Sequence, residues 1–190
     1  MARDAEDTKR RLLEAAANEF AERGIAGARV DRIAAAAAAN KALIYSYFGN
    51  KEELFDAVFN ALVVDTVQDV PIDADDLPGY AARLFDRNQE QPQVLRLALW
   101  HSLERGGTAA MPAAVAAANQ NKVAAIAAAQ QAGRVSDRFP ADELLVLITG
   151  LSILGSPDLA MTHTSGPQGL LRRRRTVVEG VRILITEDGT

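Results

Sequence analysis

The run Asn40-Lys41-Ala42-Leu43-Ile44-Tyr45-Ser46-Tyr47-Phe48-Gly49-Asn50-Lys51 gathers two phenols and two ammonium groups into one short helix and the start of the next. Such groups donate hydrogen bonds and carry charge, so they suit binding rather than bond-breaking. Bond-making chemistry finds little support elsewhere. The 190 residues contain no cysteine, which excludes disulfides, thiolate zinc sites, iron–sulfur clusters and cysteine nucleophiles together. Two histidines, His101 and His163, are too few for a multi-histidine metal site. No glycine-rich phosphate loop and no nucleophile paired with a base stands out, and Glu104, Asp142 and Glu143 are acids without a motif around them. The chain is expected to be no enzyme and to use no metal or cofactor.

Composition bounds the partners. The formal charge is −4, and residues 1–60 carry 9 Lys/Arg against 10 Asp/Glu, so neither end is a basic domain. Any contact with DNA must come from a few placed cations rather than bulk charge. No apolar stretch approaches the roughly 20 residues of a membrane span, and no signal-peptide pattern opens the chain. A cytoplasmic protein with no membrane partner is expected.

The elements that must position these groups read as helices throughout, and the fold class is all-α. Leu12, Leu13, Ala16 and Phe20 recur at three-to-four spacing and predict a first helix over 5–23, stopped by Gly24. A second helix starts at Val30-Asp31-Arg32-Ile33-Ala34, and Asn40 caps a third that runs through Phe48. Asn50 caps a fourth, with Glu52 and Glu53 in its first turn and Phe55, Val58, Phe59 and Leu62 as its buried stripe. The acidic, proline-containing segment 70–78 is a connection. Further helices are predicted near 77–90, 92–105, 112–133, 140–156 and 168–186, punctuated by Gly106-Gly107, Gly133 and the stretch from Gly155 to Gly169.

Two short helices joined by a tight turn, with a third packed behind, make a helix-turn-helix. Ile33, Ala37, Ala39, Ile44 and Phe48 can face inward, which leaves Lys41, Ala42, Leu43, Tyr45 and Tyr47 for the other surfaces. With Gly24 and Ile33-Ala34 upstream, the block Tyr45-Ser46-Tyr47-Phe48-Gly49-Asn50-Lys51-Glu52-Glu53-Leu54 resembles the TetR family of bacterial transcriptional regulators. The motif covers residues 8–62 or so; the rest matches in length and helical layout. The resemblance implies about nine helices: a three-helix DNA-binding head at 1–50, a linking helix at 51–68, and a ligand-binding and dimerisation body at 69–190.

Carried over residue by residue, the resemblance implies that Lys41, Ala42 and Leu43 open the recognition helix and face base edges. Tyr45, Tyr47 and Lys51 would hold phosphates, with Asn40 at the cap. A phenol hydroxyl donates one hydrogen bond while its ring packs on sugars, which agrees with that role. Three departures bear on the contacts. Ala37-Ala38-Ala39-Asn40 stands where the family has Ala-Gly-Val-Ser, so a positive φ at Ala38 would cost about 1 kcal/mol. Ala28 stands where a capping Thr or Ser is common, with Arg29 as a substitute contact, and Ala42 replaces a frequent glycine.

The body offers fewer handles. Trp100 and His101 lie on an apolar helix, and with Phe85, Arg96, Leu103 and Met111 they are the candidate lining of a ligand pocket; for Trp100 plain core packing is the competing role. Alanines along 113–129 leave room for a cavity against helix 92–105, suiting a small, largely apolar effector of aromatic or acidic type. Leu147, Leu151, Leu154, Val177, Val181 and Leu184 give the last two helices broad apolar faces, read as a homodimer interface. Arg172 to Arg175 are read as a solvated face or as dimer-crossing ion pairs. A ligand-responsive repressor, binding a palindromic operator as a homodimer, is the expected function. The alternative is a helical ligand-binding or scaffold protein without DNA binding, which leaves the 40–54 block unexplained.

Overall fold

A computed structural model describes residues 2–105, 112–153 and 166–186. Among them are nine helices and no strand: α1 (Ala2–Gly27), α2 (Val30–Ala36), α3 (Lys41–Phe48), α4 (Lys51–Asp69), α5 (Leu77–Glu90), α6 (Pro92–Arg105), α7 (Ala113–Gln131), α8 (Ala141–Ile153) and α9 (Pro167–Ile185). The all-α expectation holds, and most bounds fall within a few residues of those predicted. The exception is α1, which is helical for one further turn beyond the predicted stop. Gly24 does break it, with φ 71° and ψ 179°, but a turn of helix resumes at Ile25.

Local chemistry explains the short helices. Asn40 Oδ1 accepts from the Ala42 N–H at 2.8 Å, and Asn50 Oδ1 accepts from the Glu53 N–H at 2.8 Å, so each asparagine satisfies a donor that has no partner inside its helix. Asp76 does the same for α5 through the Gly79 N–H at 2.9 Å. The end of α2 is a Schellman turn: the Ala39 N–H bonds the Ala34 carbonyl and the Ala38 N–H bonds the Ala35 carbonyl. That geometry needs a left-handed residue, and Ala38 supplies it at φ 48°. A side chain there clashes mildly with its own backbone, where glycine would not. Ala38→Gly is therefore expected to raise stability by about 1 kcal/mol. Equilibrium urea unfolding should show a higher midpoint at an unchanged slope, and a lower midpoint would refute the strain.

The chain divides into two compact units. The first comprises Met1–Asp65 and Gln93–Pro112, the second Thr66–Pro92 and Ala113–Thr190. In the first, Leu12, Phe20, Ile33, Ile44, Leu54 and Phe55 are fully buried, and the Phe20 and Phe55 rings meet edge to face at 5.2 Å. Helix α6 belongs here: Leu97 joins the same core, although the sequence groups 92–105 with the body. In the second, Leu77, Tyr80, Phe85, Ile126, Leu144 and Val181 form a separate core of α5, α7, α8 and α9. Val177 and Val181 are buried, so this stripe of α9 is covered inside the unit.

Candidate nucleic-acid interface

Helix α3 divides its residues by the helical period. Ile44 and Phe48 are buried, Leu43 and Tyr47 are half-buried against the same core, and Lys41, Ala42, Tyr45 and Ser46 are exposed. The outward stripe is thus 41, 42, 45 and 46. Tyr45 is 47% exposed, while Tyr47 rests edge-on against Phe48 at 6.1 Å with its ring partly in the core. Ser46 completes the stripe and was not singled out from the sequence, although its place four residues after Ala42 carries the signal. Asn40 and Arg29 are also exposed.

The Lys41 ammonium lies 2.7 Å from the Asp31 carboxylate, both on the surface. Their hydrogen bond and mutual charge hold Asp31 below its ordinary pKa and Lys41 above. An exposed pair of this kind contributes little to stability and can exchange partners freely. Lys41 is therefore available to an incoming acceptor at small cost.

The connection from α1 to α2 is held by side chains from four elements. Glu104 of α6 caps the resumed turn of α1, accepting from the Ile25 and Ala26 N–H groups at 2.8 Å each. Glu19 of α1 accepts from the Arg29 N–H at 3.0 Å and from Arg32 Nε at 2.8 Å. The Lys51 ammonium, at the start of α4, donates to the Ala26 and Ala28 carbonyls at 3.2 and 3.4 Å. Arg32 of α2 reaches back to the Gly27 carbonyl at 3.3 Å. Arg29 is the N-cap of α2 but makes no side-chain cap bond, and Ala28 is buried at 4% exposure. Arg11 of α1 completes the arrangement from beneath, donating to the Ala37 carbonyl of the α2–α3 turn at 2.9 Å. Glu104, Glu19 and Arg11 are missed by sequence reasoning because these partners lie 10 to 79 residues away along the chain.

The candidate pocket residues disperse. Trp100 lies against Gly24, and its indole N–H donates to the Ala21 carbonyl at 3.3 Å. His101 is buried and stacks face to face on Phe59 at 4.4 Å. Burial holds its imidazole below the ordinary range, the Arg105 charge acts in the same direction, and Asp56 opposes both. Both residues are thus engaged inside the first unit, whereas Phe85 is core of the second. Arg96 and Leu103 are exposed, and Met111 lies outside the described residues. Of the candidate interface residues, Val177 and Val181 are buried within the chain, Leu151 and Leu184 are half-buried, and Leu147 is at the surface. Leu154 lies outside the described residues. The exposed apolar side chains on α8 and α9 are Val146, Leu147, Leu171 and Ile183.

A capped, outward-facing α3 on a tight turn, packed over α1, is the reading head of a helix-turn-helix regulator. Residues 12–58 match the model of bacterial regulatory proteins of the tetR family, and residues 76–182 match the tetracyclin repressor-like C-terminal domain. The chain belongs to the TetR family and is a transcriptional regulator. It is 46% identical over 153 residues to the HTH-type transcriptional repressor SCO4008 of Streptomyces coelicolor, covering 80% of this chain and 79% of that one. It also resembles the crystal structure of SCO4942, a candidate transcriptional regulator from the same organism. That match has a TM-score of 0.83 and 32% identity, and it covers 94% of this chain and 98% of the other. A tetR-family regulatory protein from Rhodococcus RHA1, at 19% identity and a TM-score of 0.70 over 95% of this chain and 98% of its own, shares the fold. None of the described helices is long and apolar enough to cross a membrane.

Proposed function

We propose that this regulator is a cytoplasmic repressor that binds a palindromic operator as a homodimer and leaves it when a small, largely apolar effector occupies the C-terminal unit. The observation that carries the DNA role is the exposed stripe of α3, presented by the Asn40 cap and the Schellman turn. Lys41 and Ala42 open that helix toward base edges, with Leu43, half-buried against the core, beside them. Tyr45, Tyr47 and Lys51 act on phosphates, with Arg29 at the start of α2. Val146, Leu147, Leu171 and Ile183 offer α8 and α9 an apolar surface for a second copy. The family match over 76–182 and the name of the 46% identical relative support repression.

A mobility-shift assay on the DNA upstream of the protein's own coding sequence tests the proposal; a helical scaffold would show no salt-sensitive, sequence-specific shift. Lys41→Ala is expected to change which bases are preferred. Tyr45→Phe is expected to weaken all operator variants alike, since phosphate contacts position without reading sequence. Lys51 separates two roles. If its ammonium reaches phosphate in the complex, Lys51→Ala lowers the salt slope by about one. If it only ties the Ala26 and Ala28 carbonyls, affinity falls at an unchanged slope.

A further inference from the structure

Lys41 is the one charged residue of α3, and its charge is already engaged. The partner, Asp31, lies in the first turn of α2, so the 2.7 Å contact joins the two short helices of the motif. Both side chains stay open to solvent, Lys41 at 46% and Asp31 at 60% exposure. The pairs of Arg10 with Asp7 and Glu14, of Arg32 with Glu19 and of Arg105 with Asp56 leave α3 untouched. The Arg29 charge acts on both members of the Lys41–Asp31 pair, and Tyr45 acts on Lys41. The pair therefore borders the outward stripe of α3 at its N-terminal end.

A carboxylate in that place has a cost. DNA phosphates repel it, and it offsets the charge with which Lys41 would attract them. Stability does not account for it, since an exposed pair contributes little. What the pair supplies is a fixed pattern. A lysine alone is a flexible point charge. Held by Asp31, its ammonium keeps two further N–H donors, and the carboxylate keeps lone pairs beyond the one it shares. A donor and an acceptor thus stand side by side, 2.7 Å apart. In the major groove a G·C pair presents the complement: guanine O6 and N7 accept, and cytosine N4 donates. Guanine O6 and cytosine N4 are joined by an N–H···O hydrogen bond, so they lie about 2.9 Å apart. The two separations match. An A·T pair in the same place turns its N6 donor toward the ammonium and its O4 acceptor toward the carboxylate.

We propose that Asp31 is a specificity-determining residue: with Lys41 it reads one G·C base pair of the operator half-site, the ammonium on guanine and the carboxylate on the cytosine amino group. This deepens the operator-binding role proposed above and rests on it. The acid lowers affinity for DNA in general and raises the preference for one pair.

The test selects sequences from a pool of randomised DNA duplexes with the full chain as wild type, Asp31→Ala, Lys41→Met and the double variant. Duplexes that differ at a single pair are then titrated. Both positions are exposed, so the variants should fold as wild type does. Wild type should enrich a G·C pair whose replacement by A·T weakens binding about tenfold. Asp31→Ala should lose most of that preference at this pair alone. It should also bind unrelated DNA more tightly, with a salt slope steeper by about one, because Lys41 is freed for phosphate. A purely structural role would lower all affinities together. Lys41→Met should lose the preference at the same pair, and the double variant should lose no more selectivity than either single one. An unchanged preference in Asp31→Ala, different pairs affected by the two variants, or A·T at the shared pair would each overturn the assignment. Selection by wild type without an Asp31 effect removes the assignment alone. Failure of wild type to select any sequence removes the operator-binding role, and the assignment with it.

Discussion

Gly24→Ala is expected to lower stability by about 3 kcal/mol and operator affinity by at least tenfold. Two causes act together. The residue sits at φ 71° and ψ 179°, a region essentially reserved for glycine, where a side chain costs about 1–3 kcal/mol. A Cβ placed there would lie 2.4 Å from Glu104 Oε1 and 2.9 Å from Trp100 Cε3, so α6 must shift, and overpacking of that kind costs roughly 1–3 kcal/mol. The shift also pulls Glu104 from the Ile25 and Ala26 N–H groups and loosens the turn that leads into α2. Thermal unfolding by circular dichroism gives the stability change, and a mobility-shift titration gives the affinity. Glu104→Ala removes the nearer obstacle at the cost of the cap, so the double variant should lose less than the sum of the singles. Additive losses would mean that Gly24 and Glu104 act separately.

Val181→Asp should be the more damaging change, by about 4 kcal/mol or more, because it buries an unpaired carboxylate in the core of the second unit. Val181 is 0% exposed among the side chains of α5, α8 and α9. The expected result is poorly soluble protein, or a chain whose second unit has lost cooperative melting, rather than a folded monomer. Ile183→Asp provides the contrast. That side chain is 62% exposed in the single chain, so an acid there should change chain stability by less than about 0.5 kcal/mol. If α9 meets a second copy through this surface, the variant should sediment as a folded monomer and lose operator affinity. A folded, dimeric Ile183→Asp protein would move the interface off this part of α9, and a well-behaved Val181→Asp protein would contradict its burial.

Much of the reading head was legible in the chain because its signals are local. Asn40 and Asn50 cap the donors two and three residues ahead of them, and Ile44 and Phe48 face inward because they lie one turn apart. The left-handed Ala38 could be anticipated from the turn it occupies. The family was recognisable because the 45–54 block combines these local demands with the groups exposed on α3. What the sequence could not assign was the partner of each long-range group. Glu104 reads as an unplaced acid until folding brings it against N–H groups 78 and 79 residues away.

The same limit governed the C-terminal half. Periodicity marked Val177 and Val181 as apolar but not whether their cover would be another helix of the same chain or a second copy; the packing of α5 against α9 decided that. Trp100 read equally as pocket or core until its indole met Ala21 and Gly24 in the first unit. Lys122 drew no attention, since a single lysine in an alanine-rich helix is ordinary until folding sets it over the Tyr80 ring. The sequence by itself determined the helices, the Asn40 and Asn50 caps and the inward Ile44 and Phe48 of α3, all set by interactions within a turn or two of chain. Only the tertiary structure decided which apolar faces were already covered and which polar groups met across the chain, because both depend on residues distant in sequence.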